Sequence, residues 1–382
     1  MYTRCLPIPP RSFFLFGPRA TGKTTWLRQV LPNAHWFDLL RTDVYLELAR
    51  QPELFRARVE ALPKSSWVVV DEVQRMPNLL NEVQDLISRH GNSYRFALSG
   101  SSARKLKRMD SNLLAGRAFT RSFFPLTSEE TGFKLDLDEA LRFGRLPMVV
   151  DEPGLAVETL DAYVTTYLRE EILQEAQVRN LDSFSRFLEV AALMNGQIVN
   201  VSGVARDAAV ARPTVEGYFD ILVDTLIGVR LPAWRNRARV KEVARPKFYL
   251  FDPGVARALA GRHREPIDDV EKGFLLETLV LHELRAAMCF QQTGGELSFW
   301  RTPSGSEVDF IWQRGTRTVG IEVKASKRWK SEYGIHLKTL LVDKALTAAY
   351  AIYTGREEMR DGDIHILPAG VFFQRLAAGK IL

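Results

Sequence analysis

The run Gly17-Pro18-Arg19-Ala20-Thr21-Gly22-Lys23-Thr24 fits the pattern GxxxxGK[ST], and every residue type in it suits contact with phosphate. Glycines let the backbone close around an anion, and the N–H groups at the start of a helix face it with a favourable dipole. Lys23 is expected on the β- and γ-phosphates of a nucleotide. Thr24, followed by Thr25, is expected at a magnesium ion that takes its other oxygens from phosphate and water. A second motif agrees with the first: Trp67-Val68-Val69-Val70-Asp71-Glu72 is an apolar run that ends in two carboxylates. Asp71 would hold the magnesium through water. Glu72 would orient or deprotonate the attacking water, because phosphoryl transfer needs an in-line nucleophile more than covalent chemistry.

Two further residues are weaker candidates. Ser101, in Gly100-Ser101-Ser102, stands where a γ-phosphate sensor would lie, with a plain glycine–serine turn as the equal alternative. Arg117, in Leu114-Ala115-Gly116-Arg117, suits an arginine finger acting in its own or a neighbouring subunit; a solvated surface arginine is the other reading.

A second group of chemistry-bearing residues lies near the end. Glu307-Val308-Asp309 and Ile321-Glu322-Val323-Lys324 read as the two strands of a hairpin, in which Glu322 and Lys324 share a face and Asp309 lies across from them. A helix over 273–288 would bring Glu277 to the same edge. Carboxylates on neighbouring strands bind magnesium, and a nearby lysine can prepare a water for attack on a phosphodiester. An exposed salt-bridged strand edge is the plainer alternative.

The elements that must hold these groups follow from periodicity. Strand-like runs at 13–16, 35–38, 67–70, 94–99 and 119–123 alternate with helical ones, which predicts a parallel sheet covered by helices. Leu79, Leu80, Val83, Leu86 and Ile87 have the spacing of a helix's core stripe. From about 128 the pattern turns helical, with a long helix over 160–177. Helices over 184–194, 201–209 and 214–226 follow, the last capped by Thr214. They resemble a helix-turn-helix, with 227–232 and 247–250 as a two-stranded wing.

The wing turn is basic: Arg230, Arg235, Arg237, Arg239, Lys241, Arg245 and Lys247 stand against Glu242 alone, with Trp234 and Phe248 interleaved. A shorter basic run covers Arg104-Lys105-Leu106-Lys107-Arg108. Either is a solvated face or a polyanion contact. The third helix would present Glu216, Asp220 and Asp224, poor partners for phosphates, so a nucleic-acid contact would fall to the wing.

With 382 residues, 46% hydrophobic and 26% charged, the chain is an ordinary globular mixture of two to three domains. Its net charge of +6 and pI near 9.3 suit a polyanionic partner. No apolar run is long enough for a bilayer, and Met1-Tyr2-Thr3-Arg4-Cys5 is not the start of a secretion signal, so a cytoplasmic location is expected. Cys5 and Cys289 are too isolated for a disulfide framework, and the six histidines lack metal-binding spacing.

On these motifs, with Pro125-Leu126 and Phe251-Asp252-Pro253-Gly254, the chain resembles the prokaryotic AAA-type ATP-binding proteins that carry a C-terminal nuclease-like domain of unknown function. The resemblance implies an α/β chain. Its parts would be an N-terminal AAA-type P-loop NTPase at 1–127, a helical connector or lid at 128–183, a winged-helix-like module at 184–250 and a restriction-endonuclease-like α/β domain at 251–382. It implies ATP and Mg2+ as cofactors. It also matches Asp309, Glu322 and Lys324 to the PD-(D/E)xK signature, with Asp309 and Glu322 as metal ligands and Glu277 as the helix acid. No Pro-Asp pair precedes the acid, since Asp309 follows Val308. The expected function is ATP hydrolysis coupled to the handling of DNA. The alternative is a nucleotide-dependent switch that binds a protein partner through an inactive nuclease-like fold. No membrane partner is expected, and oligomerisation stays open.

Overall fold

A computed structural model describes residues 2–102, 114, 116–134, 136–168, 180–235 and 245–381. Both 104–108 and the wing-turn residues Arg237, Arg239, Lys241 and Glu242 lie outside the described residues, as does the end of the helix expected over 160–177.

The apolar runs of the first part become β1 (Phe13–Phe16), β2 (His35–Asp38), β3 (Ser66–Asp71), β4 (Tyr94–Gly100) and β5 (Phe119–Ser122). They form one sheet in the order β2-β3-β4-β1-β5, with every neighbouring pair parallel. Strands covered on both faces are apolar at successive positions, and the pleat divides them between two cores. Phe14, Val68, Val70 and Leu98 pack on one face, and Phe13, Leu15, Val69 and Ala97 on the other. Leu79, Leu80, Val83 and Leu86 are buried along the helix Leu79–His90, as their spacing predicts, and Gly91 follows it at φ 58°. Because the strands run the same way, the loops after β1, β3 and β4 emerge at one edge, where open α/β sheets bind ligands.

Short helices fill the middle of the chain: Leu137–Phe143, Pro147–Asp151, Ala156–Ala162, Leu181–Leu193, Val201–Asp207, Arg212–Asp224 and Pro253–Leu259. Leu146, Leu160, Phe187, Val215, Leu222, Phe248 and Val255 belong to one core. The expected divisions after 183 and 250 therefore do not coincide with a gap in this core. Helices this short must share their apolar faces to be covered.

Two local expectations are corrected. The third helix begins at Arg212 after Ala211, with Pro213 in its first turn, so Thr214 is not the cap; a proline there loses no hydrogen bond. The sheet expected as a two-stranded wing has three strands, because β6 (Gln197–Ile198) pairs with the free edge of β8 (Lys247–Leu250), whose other side pairs with β7 (Gly228–Leu231).

The last part holds β9 (Glu296–Arg301), β10 (Glu307–Arg314), β11 (Arg317–Lys324), β12 (Ala348–Tyr353), β13 (Met359–Asp361) and β14 (Ile364–Pro368), in the order β13-β14-β12-β11-β10-β9. Strands β9, β10 and β11 pair antiparallel, whereas β11, β12 and β14 run parallel. The helices Asp269–Phe290 and Ala369–Ala377 pack into one core on this sheet, and Ile335–Val342 into another. The β10–β11 hairpin is the one expected. Among the described residues no helix is long and apolar enough to cross a membrane.

Candidate nucleotide site and carboxylate centre

The loop after β1 curls back on itself. Ala20 and Gly22 take φ of 60° and 91°, and the helix Lys23–Val30 starts immediately after them. Gly17 is required for space: a Cβ there would lie 2.3 Å from the Phe123 carbonyl oxygen. Inside the curl Lys23 Nζ donates to the carbonyls of Gly17 (2.7 Å) and Pro18 (2.9 Å), and the Thr21 hydroxyl donates to Pro18 (2.8 Å). Thr25 is exposed at the same helix start.

The two motifs meet at Asp71. Thr24 Oγ1 donates to Asp71 Oδ2 at 2.7 Å, and the Ser99 hydroxyl donates to the other oxygen. Burial raises the Asp71 pKa, with the hydrogen bonds from Ser99 and Thr24 opposing and Glu72 adding to the rise. A positive charge placed here would relieve that cost, and the oxygen donors are those a hard cation takes, so the group fits Mg2+. Glu72 follows in the left-handed region (φ 58°). It accepts from the Gln74 amide and, at 3.3 Å, from the Ser101 hydroxyl, while Gln74 also donates to Ser101 at 3.0 Å. Ser101 thus stands against Glu72. Arg117 is exposed in the turn before β5.

Sequence reasoning missed Ser99, Gln74 and Arg4. Ser99 reaches Asp71 because β3 and β4 pair in parallel with Val70 opposite Leu98, a register that no local pattern announces. Arg4 is buried under the loop: it donates to the carbonyls of Thr21 (2.7 Å) and Phe124 (2.6 Å), and its Nε donates to Glu130 (2.9 Å). Glu130 also accepts from the backbone of Cys5 and Thr127. Next to this network Ser128 donates twice to Glu283 of the helix Asp269–Phe290, and Arg145 Nη1 lies 3.5 Å from the same carboxylate.

The second centre collects the expected residues and one more. Asp309 accepts from the Val323 backbone at 2.8 Å, beside a register shift in β10 of the kind that re-aims side chains. Glu322 pairs with Lys324 at 2.5 Å, and Glu277 accepts from the Tyr249 hydroxyl at 2.8 Å. Among them lies Lys247, the first residue of β8. Its Nζ is 2.5 Å from Glu307, 3.3 Å from Glu277 and 3.7 Å from Asp309, and its side chain is 4% exposed.

Burial pushes Glu277 up to about 7, helped by Asp309, and raises Glu322 for the same reasons. Burial alone would depress Lys247, but the surrounding acids hold it well above its ordinary value. The residues do not fit the metal that the resemblance implies. Glu277, Glu307 and Asp309 already face an ammonium, Glu322 faces Lys324, and among the described residues no three acidic, histidine or cysteine side chains form a metal-holding group. The basic residues expected in a wing divide: Lys247 is buried, whereas Arg230, paired with Asp220 at 2.6 Å, is exposed together with Arg235 and Arg245.

Residues 10–132 match the model of the AAA domain; residues 134–265 and 272–372 match two domains of unknown function (DUF8612 and DUF4143). With the parallel sheet and the phosphate loop, the first match supports an AAA-type ATP-binding protein. The chain is similar to two uncharacterized proteins, Rv2008c of Mycobacterium tuberculosis and Mb2031c of Mycobacterium bovis. Each is 28% identical over 353 residues, covering 89% of this chain and 76% of the relative. Among solved structures, the RuvB Holliday junction branch migration motor of Thermotoga maritima aligns with a TM-score of 0.31 and 17% identity, over 58% of this chain and 82% of that one. Cdc6p of Pyrobaculum aerophilum aligns with a TM-score of 0.27 and 12% identity, over 67% and 88%.

Proposed function

We propose that this protein binds ATP and Mg2+ through residues 17–25 and hydrolyses the nucleotide with Glu72 as the residue that orients or deprotonates water. The observation that carries the reading is the Thr24–Asp71 hydrogen bond, which brings the loop and the acid pair together at the edge of the sheet. Thr24 and Asp71 would hold the magnesium, which would supply positive charge against the charge that develops on the phosphate oxygens. Lys23 exchanges its loop carbonyls for phosphate oxygens, Ser99 and Thr24 fix Asp71, and Gln74 with Ser101 fixes the direction of Glu72. Arg117, being exposed, is available to a neighbouring subunit's nucleotide as a finger. The test is ATP turnover by the purified protein with magnesium: Glu72→Gln should lower it by about 10²- to 10⁴-fold, the usual worth of a general base, with nucleotide affinity retained. Turnover unchanged in that variant would refute the assignment.

For the output of the cycle, a nucleotide-dependent switch acting on a protein partner is supported over ATP-driven handling of DNA. Lys247 in the carboxylate centre withdraws one of the basic groups expected to meet phosphates and sets an ammonium against the acids of the nuclease-like centre. A switch needs different partner affinities in its ADP and ATP states, which pull-downs with ADP and a non-hydrolysable analogue would measure. Stimulation of turnover by single- or double-stranded DNA would instead favour the DNA reading, to which exposed Arg235 and Arg245 would contribute.

A further inference from the structure

We infer that Lys247 is the resident cation of the carboxylate centre, and that its ammonium excludes a divalent metal from Asp309 and Glu322 for as long as β8 stays docked on the last sheet.

Position is the first argument. The acids come from the helix Asp269–Phe290 (Glu277) and from β10 (Glu307 and Asp309), whereas Lys247 comes from the sheet of β6, β8 and β7. A side chain from one unit therefore fills the middle of a cluster built by another. Magnesium needs about six oxygens at roughly 2.0–2.1 Å, so it cannot share a position with an ammonium that is already in contact with three of the carboxylates.

Charge is the second argument. Glu277, Glu307, Asp309 and Glu322 face Lys247, Lys324 and Arg301, the last 2.8 Å from Glu307. Counted with every acid ionised, four carboxylates against three cations leave one negative charge, so a divalent ion added to this set would turn it positive. Hydrogen bonding agrees: Glu277 Oε2 is shared by Lys247 and Tyr249, Asp309 Oδ2 is taken by the Val323 amide, and Glu322 Oε1 by Lys324. Glu322 Oε2 is buried without a hydrogen-bond partner.

Docking is the third. The two units are also joined by the Asn195 amide to Thr278 (2.8 Å), with Asn195 in turn accepting from the Leu250 amide. Reciprocal backbone bonds add to this, from Trp234 to Phe299 (2.6 Å) and from Phe299 to Pro232 (3.0 Å). These bonds hold the backbone that carries Lys247 against the last sheet, within side-chain reach of the acids.

The inference is independent of the ATP reading because it is read in the difference between variants: if the nucleotide site holds no ion, every count below falls by one. Mn2+ binding to the full chain would be counted by electron paramagnetic resonance with the nucleotide site saturated by ADP, so that this site contributes one ion. The wild-type protein should bind that ion alone, with the count unchanged in Asp309→Asn. A folded Lys247→Met should bind two, and Lys247→Met with Asp309→Asn one. A wild-type count of two that falls to one in Asp309→Asn would overturn the inference whether or not the lysine variant folds. A folded Lys247→Met that still binds one ion would overturn the role assigned to the ammonium.

Discussion

Thr24 hydrogen-bonds to Asp71 over 2.7 Å, closing a distance of 47 residues in the chain and making one site of two motifs. On the proposed reading neither motif would act alone in phosphoryl transfer: the loop would bind the phosphates, and the acids would organise the ion and the water.

Lys23→Ala should weaken nucleotide binding by roughly 1.5–3 kcal/mol, the worth of a hydrogen bond to a charged group. Calorimetric titration with a non-hydrolysable ATP analogue would read this as a dissociation constant roughly 10- to 100-fold higher. Unchanged affinity would remove the loop from the nucleotide site.

Ser99→Ala takes away a hydroxyl that fixes Asp71 from behind, on the carboxylate oxygen that Thr24 does not use. Partners behind a ligating carboxylate are worth about 10- to 100-fold in metal affinity or activity. The magnesium concentration for half-maximal turnover should rise accordingly, and saturating magnesium should restore part of the rate. A loss that magnesium leaves untouched would mean that Ser99 serves the fold and not the ion.

Arg4→Ala leaves Glu130 buried without its guanidinium and frees two carbonyls, those of Thr21 and Phe124. Breaking one partner of a buried pair costs about 3–5 kcal/mol. Thermal unfolding should move down by several degrees, and nucleotide affinity should fall with it because Thr21 belongs to the phosphate loop. A melting curve equal to the wild type would show that the pair contributes little.

His282 gives a pH dependence. Burial lowers its pKa to about 3, with Arg145 adding to the effect, from an ordinary 6.5. A histidine kept neutral in the folded state binds fewer protons there than when unfolded. Its contribution is therefore intact above pH 6.5 and is lost as pH falls toward 3. His282→Gln, which can still donate to the Leu126 carbonyl, should gain stability relative to the wild type across that window. Parallel denaturation curves at pH 7.5 and 5 check the sign.

Local pattern carried much of this protein. Phe13–Phe16 and Val68–Val70 announce buried parallel strands, because a strand covered on both faces has no polar period. The phosphate loop is legible because its chemistry needs consecutive residues of set types, and Glu322 and Lys324 are placed on one strand face by the period of two alone. These are properties of neighbours along the chain, so local residue order suffices to reveal them.

Partners far apart along the chain are brought together by the fold. Ser99 meets Asp71 through strand register, Arg4 supports the loop across 126 residues to Glu130, and the helical units share a core that composition alone did not join. Lys247 is the clearest case. In the sequence it is one more basic residue of a wing, yet its ammonium ends up buried among acids 30 or more positions away. A charge's role depends on which opposite charges the fold brings within reach and how much water it removes, and neither is encoded by residue type or local spacing.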